Sequence, residues 1–313
     1  MRALVTGACG FIGSHACDFL LSRGYEVFAG VYAERGTKNI DHVTDKLEVI
    51  EWDITKEDDV NNVVARSKPH LVVHMAAQSY VLPSWDDPAR TFDTNVNGSY
   101  HLLEAIRRLG VDTTTVMACS SAEYGFSNEE ELPVSELKEF RPSSPYGISK
   151  IGTDMVSYLF WKAYGMNIIR ARLFNITGPR KVGDAVSDFV KGVVDVEEGR
   201  TSKLRVGNLG ARRDITDVRD CLEALWTLKE KATPGEAYNI CSNKSHLMED
   251  IVNAIKAKAK KEIVVEVDPA RIRRTDEPIF LGSNEKLRKL GWQPQRSLDE
   301  TLDGVLAYWR SPS

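Results

Sequence analysis

Tyr146 and Lys150 are the residues of this 313-residue chain whose types and spacing most directly suggest chemistry. Four positions apart on a predicted helix, a phenol and an ammonium share one face. A free phenol titrates near pH ~10 and is a poor base at neutral pH; a neighbouring cation favours phenolate and is expected to lower that value. Such a pair can pass a proton to or from a substrate oxygen. Tyr-x-x-x-Lys is common by chance. It gains weight from the pair Ser120-Ser121, which follows a predicted strand. There Ser120 can hold the reacting oxygen by a hydrogen bond, with Ser121 beside it as a candidate substrate contact.

A second constellation supplies the partner for such chemistry. Gly7-Ala8-Cys9-Gly10-Phe11-Ile12-Gly13 spaces its glycines as G-x-x-G-x-x-G, directly after a strand and at the start of a helix. Gly7 and Gly10 permit a tight turn and close backbone approach to a pyrophosphate. Gly13 lets helix and strand pack closely, and the helix N-terminus at Phe11 and Ile12 faces the phosphates. In that context the pattern predicts a dinucleotide site. Folds that prefer NAD place an acid after the second strand to hold the ribose hydroxyls. Here the stretch reads Ala29-Gly30-Val31-Tyr32-Ala33-Glu34-Arg35. No acid follows at once, and Arg35 and Lys38 can meet a 2′-phosphate, so NADP(H) is favoured over NAD(H), with Glu34 as the residue that would reverse the choice. Asp53 and Ile54, after the third strand, are placed to touch adenine.

These residues need a scaffold, and the chain supplies alternating strands and helices. Near-continuous apolar strands at 2–5, 26–29, 47–50, 71–74, 114–118 and 167–172 predict a doubly wound α/β fold with a parallel sheet. Pro88 is expected to open one long helix to Leu109, and Thr55-Lys56-Glu57-Asp58 resembles a capping box. After Arg172 the rhythm breaks. The division expected is 1–172 plus about 214–242 for the dinucleotide, and about 173–213 plus 243–313 for a smaller substrate-binding domain. Net charge is −4, which gives no basic field for nucleic acid or an anionic membrane. No run approaches the ~20 apolar residues of a membrane span. Five scattered cysteines without Cys-x-x-Cys fit a reduced, cytoplasmic setting, and six histidines show no metal-ligand spacing.

The chain resembles the extended short-chain dehydrogenase/reductases, the NAD-dependent epimerase/dehydratase family that modifies nucleotide sugars. The resemblance rests on TGACGFIG (6–13), WDI (52–54), HMAAQS (74–79), NVNGS (95–99), SSAEYG (120–125), YGISK (146–150), RLFNITGPR (172–180), RRDITDVRD (212–220) and LGW (290–292). AAQSYV, VGNLGARRD and DEPIFLGSN look most like the GDP-mannose branch, with its 4,6-dehydratases and its reductases of 4-keto-6-deoxy sugars. The resemblance implies a Rossmann-type domain with a smaller C-terminal α/β substrate domain. It makes Tyr146 and Lys150 the catalytic pair and Ser120 their hydroxyl partner. It lays Ala76, Ala77 and Gln78 along the dinucleotide, with Asn95 as a structural or cofactor contact. Asn175 would meet the sugar or its diphosphate. Arg213 would clamp the diphosphate, against the alternative of a salt bridge to Asp214 or Asp217; Arg273 would be a second clamp, with Arg271 and Arg274 competing. A homodimer through the helices at 88–109 and 146–163 is also implied.

One departure bears on the reaction. A 4,6-dehydratase needs a second acid/base, a Glu two residues before Tyr-Gly in the family pattern. Here that position is Ala122, and Glu123 lies one place later. A one-residue shift turns a side chain to the opposite face of an extended segment, although a loop could absorb it. The expectation is therefore reduction at C4 of a GDP-4-keto-6-deoxy-hexose. The alternatives are GDP-mannose 4,6-dehydration with Glu123 as acid/base, nucleotide-sugar 4-epimerisation, and, more remotely, a dinucleotide sensor without turnover.

Overall fold

The computed structural model describes residues 1–272 and 277–311, and the side chains of these except Arg35. In chain order the elements are β1 (Arg2–Thr6), α1 (Phe11–Ser22), β2 (Glu26–Val31), β3 (Leu47–Glu51), α2 (Glu57–Ser67), β4 (Leu71–His74), α3 (Val81–Asp86), α4 (Pro88–Phe92), α5 (Gly98–Arg108), β5 (Thr114–Ser120), α6 (Pro145–Tyr164) and β6 (Ile168–Leu173). There follow β7 (Asn175–Thr177), α7 (Ala185–Glu197), β8 (Leu204–Val206), β9 (Arg212–Asp217), α8 (Val218–Lys231), β10 (Ala237–Ile240), β11 (Ser245–Leu247), α9 (Met248–Ala257), β12 (Val265–Val267), β13 (Ile279–Phe280), α10 (Glu285–Arg288) and α11 (Leu298–Arg310).

Seven strands form one parallel sheet in the order β10-β6-β5-β4-β1-β2-β3. The apolar strands are buried on both faces, as such a sheet requires: Leu4 packs with Val60, Val64 and Leu102 on one side, while Ala3 and Val5 pack with Cys17, Leu20 and Leu225 on the other. The strand order reverses between β1 and β4, which opens a crevice beyond their C-terminal ends. A second core is built by α7, α9 and α11 through Val190, Val193, Ile251, Ile255, Leu302 and Val305. A smaller sheet centred on β9, which pairs with β7, β11 and β13, stands beside the crevice. Residues 287–292 return to the first core, where the Trp292 indole donates to the Asp220 carbonyl at 3.1 Å. Among the described residues no helix is long and apolar enough to cross a membrane, and the five cysteines are unpaired.

Two local expectations are corrected. The helix expected from Pro88 to Leu109 is interrupted by a π turn at Asp93–Asn97, which carries Asn95 inward. Asn95 is buried there, and its side chain bonds to Gln78 and Ser149 outside the turn. The capping box at Thr55 does not form either; the Thr55 amide and hydroxyl both turn back to Asp53, at 3.0 and 2.8 Å, and α2 starts at Glu57 without a side-chain cap.

Candidate active site

The glycine turn is built by backbone contact. Gly7 has φ +65°, and a Cβ there would stand 2.8 Å from the Ala76 nitrogen; a Cβ on Gly13 would stand 2.1 Å from the Gly7 oxygen. No side chain caps α1, and its first turn carries no acid, so its leading N–H groups and positive dipole end face the crevice. This bare cradle fits a pyrophosphate. Thr6 braces it: its hydroxyl accepts from the Met75 and Ala76 amides at 3.0 Å each and bonds His74 Nδ1 at 2.8 Å. With two donors on that oxygen, Thr6 must donate to Nδ1, which leaves Nε2–H to donate to Ser99 at 3.0 Å; Ser99 in turn donates to the Asn95 carbonyl at 2.6 Å. Burial holds His74 neutral, with its pKa lowered to about 3. Asn95 then accepts from the Gln78 amide at 2.8 Å and donates to the Gln78 carbonyl and to Ser149 of α6. One buried chain thus connects the glycine turn, the Ala76-Ala77-Gln78 loop and the helix that bears Tyr146.

That helix is set by its N-terminus. Ser144 caps it by accepting from Gly147 at 3.1 Å, Pro145 opens it, and the Tyr146 amide donates to Ser84 of α3 at 3.1 Å. Gly147 permits close approach to the turn after β5, because a Cβ there would lie 2.6 Å from the Ala122 oxygen. The phenol of Tyr146 is brought to the Ser120 hydroxyl. Burial pushes its pKa up to about 12, and the hydrogen bond with Ser120 opposes that rise. The expectation that Lys150 lowers the phenol is therefore corrected. Lys150 is buried and spends its ammonium on the Ala118 carbonyl, 2.7 Å away, and its own pKa is lowered by burial. Burial thus favours the protonated phenol.

Glu123 is closed off from solvent. It is fully buried; its Oε1 accepts from the Ser120 amide at 2.7 Å and its Oε2 lies 3.4 Å from the Arg172 guanidinium. Burial, reinforced by Asp154, raises its pKa well above the ordinary carboxylate range. Asp154 was not singled out in the sequence. It lies one helical turn beyond Lys150, fully buried, and binds Arg172 at 2.9 Å and also Arg170. The sequence signal was there: Tyr146, Lys150 and Asp154 recur every four residues, and Arg170 and Arg172 alternate onto one face of β6.

The remaining candidates are distributed as follows. Ser121 is buried in the turn after Ser120. Ile54 is buried against Gly98, and the half-buried Asp53 accepts from the Thr55 amide and hydroxyl through one carboxylate oxygen. Asn175 donates to the Asp214 carbonyl at 3.1 Å. Arg213, on β9, donates to the carbonyls of Arg212 and Glu277 at 2.9 and 2.7 Å. Arg35 closes the short turn after β2, where the exposed Glu34 pairs with Arg90 at 3.4 Å. Arg273 lies outside the described residues.

The family profile described as GDP-mannose 4,6 dehydratase matches residues 4–305. The chain belongs to that family. It is accordingly an extended short-chain dehydrogenase/reductase, an enzyme. Within this family it is similar to the GDP-6-deoxy-D-mannose reductase of Pseudomonas aeruginosa, 28% identical over 99% of this chain and 97% of that one. It is equally similar to the GDP-mannose 4,6-dehydratase of Vibrio cholerae, 28% identical over 96% of this chain and 91% of that one. The structure of RMD from Pseudomonas aeruginosa complexed with NADPH superposes with a TM-score of 0.86 at 26% identity, over 98% of both chains. UDP-glucose 4-epimerase from Thermus thermophilus, complexed with NAD, gives 0.90 at 29% identity over the whole of both chains.

Proposed function

We propose that the protein reduces a GDP-4-keto-6-deoxy-hexose at C4, with NADP(H) as the cofactor. The observation that carries this reading is the disposition of the one further acid that the rival dehydration would need. Ala122 occupies the position of the family's acid/base, and Glu123 is fully buried, bound to the Ser120 amide and beside Arg172. Tyr146 alone is then left to move a proton, and a phenol held protonated by burial suits donation to an oxygen that gains negative charge. The bound dinucleotide would supply the hydride. Gly7, Gly10, Phe11, Ile12 and Gly13 would hold its pyrophosphate, Ala76, Ala77, Gln78 and Asn95 would line its course, and Arg35 would meet a 2′-phosphate. Ser120 would hold the carbonyl oxygen, and Lys150 would fix α6 and meet the ribose. Asn175, Ser121, Arg213 and Arg273 would take the nucleotide sugar; a guanidinium fork suits a diphosphate.

We also assign the active form to a homodimer. Ile148, Met155, Tyr158 and Leu159 of α6 and Tyr100 of α5 stand exposed, an apolar strip on the two helices expected to pair. Light scattering at twice the monomer mass supports this, and a monomer at working concentration contradicts it. The activity is tested by mixing enzyme, NADPH and GDP-4-keto-6-deoxymannose and following loss of reduced-nicotinamide absorbance. Consumption that requires the keto sugar supports reduction; none under any such condition removes the reading.

A further inference from the structure

Glu123 caps the turn at Ser121–Glu123 in an unusual way. Ser120 and Glu123 form a reciprocal box: the Ser120 hydroxyl accepts from the Ala122 amide at 3.1 Å and the Glu123 carboxyl accepts from the Ser120 amide at 2.7 Å. Capping boxes ordinarily sit at exposed helix ends, where water solvates the second carboxyl oxygen. Here Glu123 is fully buried and its Oε2 has no hydrogen-bond partner. An acid is expensive in such a place. The groups that face it are Cys119 of β5, Tyr146, Lys150 and Asp154 of α6, Arg172 of β6 and Tyr124 of its own turn. The ligand atoms of Cys119, Glu123 and Asp154 lie within 4.8 Å of one another, but the Arg172 guanidinium bound to Asp154 lies beside Glu123, so the cluster is an ion-pair network and not a cation site.

We propose that Glu123 is the positioning residue of the catalytic hydroxyl: by binding the Ser120 amide from beneath, and resting on the Arg172–Asp154 pair, it fixes the Ser120 Oγ against the Tyr146 phenol. The same network ends on α6 one turn beyond Lys150, so Ser120 and the Tyr146–Lys150 stripe share one buried anchor. Glu123 moves no proton in this scheme; it acts through Ser120. The inference rests on Tyr146 being the proton donor of the proposed reduction.

Two substitutions separate holding from proton transfer. Glu123→Gln keeps an oxygen for the Ser120 amide, whereas Glu123→Met keeps the length and loses the acceptor. Slow hydrogen exchange of the Ser120 amide, read by NMR without any sugar present, should persist in Glu123→Gln and vanish in Glu123→Met. In turnover of GDP-4-keto-6-deoxymannose, Glu123→Met should lose about ten- to a hundred-fold in kcat with KM and dinucleotide affinity unchanged, because slight misplacement of a catalytic group costs up to ~10²-fold. Glu123→Gln should stay within about threefold of wild type, with the same pH profile. Glu123→Met matching wild type in exchange and kcat overturns the proposal; so does Glu123→Gln falling as far as Glu123→Met, which would make the acidic proton the working part. If Glu123→Met does not fold, Glu123→Gln decides alone: retained exchange protection and kcat support the assignment, and a loss of either overturns it. A wild-type protein inactive on every GDP-sugar would remove the proposed reaction, while the exchange measurement would still judge the anchor.

Discussion

Lys150 delivers its ammonium to the carbonyl oxygen of Ala118, 2.7 Å away, and so ties α6 to the strand that ends in Ser120. Burial, and not this bond, is what raises the pKa of the Tyr146 phenol. A lysine committed to a carbonyl from within the sheet is a fixed charge, and Tyr146 retains its proton. Tyr146→Phe should therefore abolish turnover, by at least ~10²–10⁴-fold in kcat, with dinucleotide affinity retained. Stopped-flow reduction and calorimetry on the same preparation give both numbers. Because the phenol titrates near 12, the acid form persists across the neutral range, and the rate of reduction should show no fall on that account as pH rises through neutrality.

Arg213→Ala should weaken nucleotide-sugar binding about ten- to a hundred-fold, the worth of one charged hydrogen bond of ~1.5–3 kcal/mol, and leave the dinucleotide unaffected. Arg213 already holds the Glu277 carbonyl at 2.7 Å, so a loss of thermal stability with unchanged sugar affinity would make it a purely structural residue. Calorimetric titration with a GDP-sugar separates the two.

The cofactor preference has its own measurement. NADPH should bind more tightly than NADH, since the acid nearest the end of β2, Glu34, is exposed and paired with Arg90. Tighter NADH binding in calorimetry would show that Glu34 grips the ribose after all.

His74 predicts an acid weakness. Its folded pKa of about 3 lies below the ordinary 6.5, so the unfolded chain binds the extra proton between those values. Stability from this group is complete above pH 6.5 and is lost as pH falls toward 3, by a few kcal/mol in all. Urea unfolding at stepped pH should show that slope. His74→Gln should flatten it, at a cost of about 1–3 kcal/mol at neutral pH for imperfectly satisfied Thr6 and Ser99.

The parts of the site legible in the sequence are those fixed by local spacing. The glycine turn, Tyr146 with Lys150, and Ser120 at a strand end each announce themselves within a few residues, and the parallel sheet follows from apolar strands separated by helices. The parts that local spacing does not show depend on partners far along the chain. Glu123 reads as an acid beside a catalytic serine, and only the arrival of Arg172 and Asp154 beneath it, 49 and 31 positions later, turns it into an anchor. The π turn at Asn95 is equally hard to read, because beside the local Ser99 hydroxyl it engages Gln78 and Ser149, which lie far from it in the chain.

The reduction itself is tested most directly by product mass. Wild-type enzyme is incubated in parallel with GDP-mannose and with GDP-4-keto-6-deoxymannose, each with NADPH and with NADP⁺, and the products are weighed by mass spectrometry. The keto sugar is expected to gain two hydrogens when NADPH is present, and GDP-mannose to emerge unchanged. Efficient loss of one water from GDP-mannose, abolished in Glu123→Gln, would contradict the proposed reduction and make the enzyme a dehydratase.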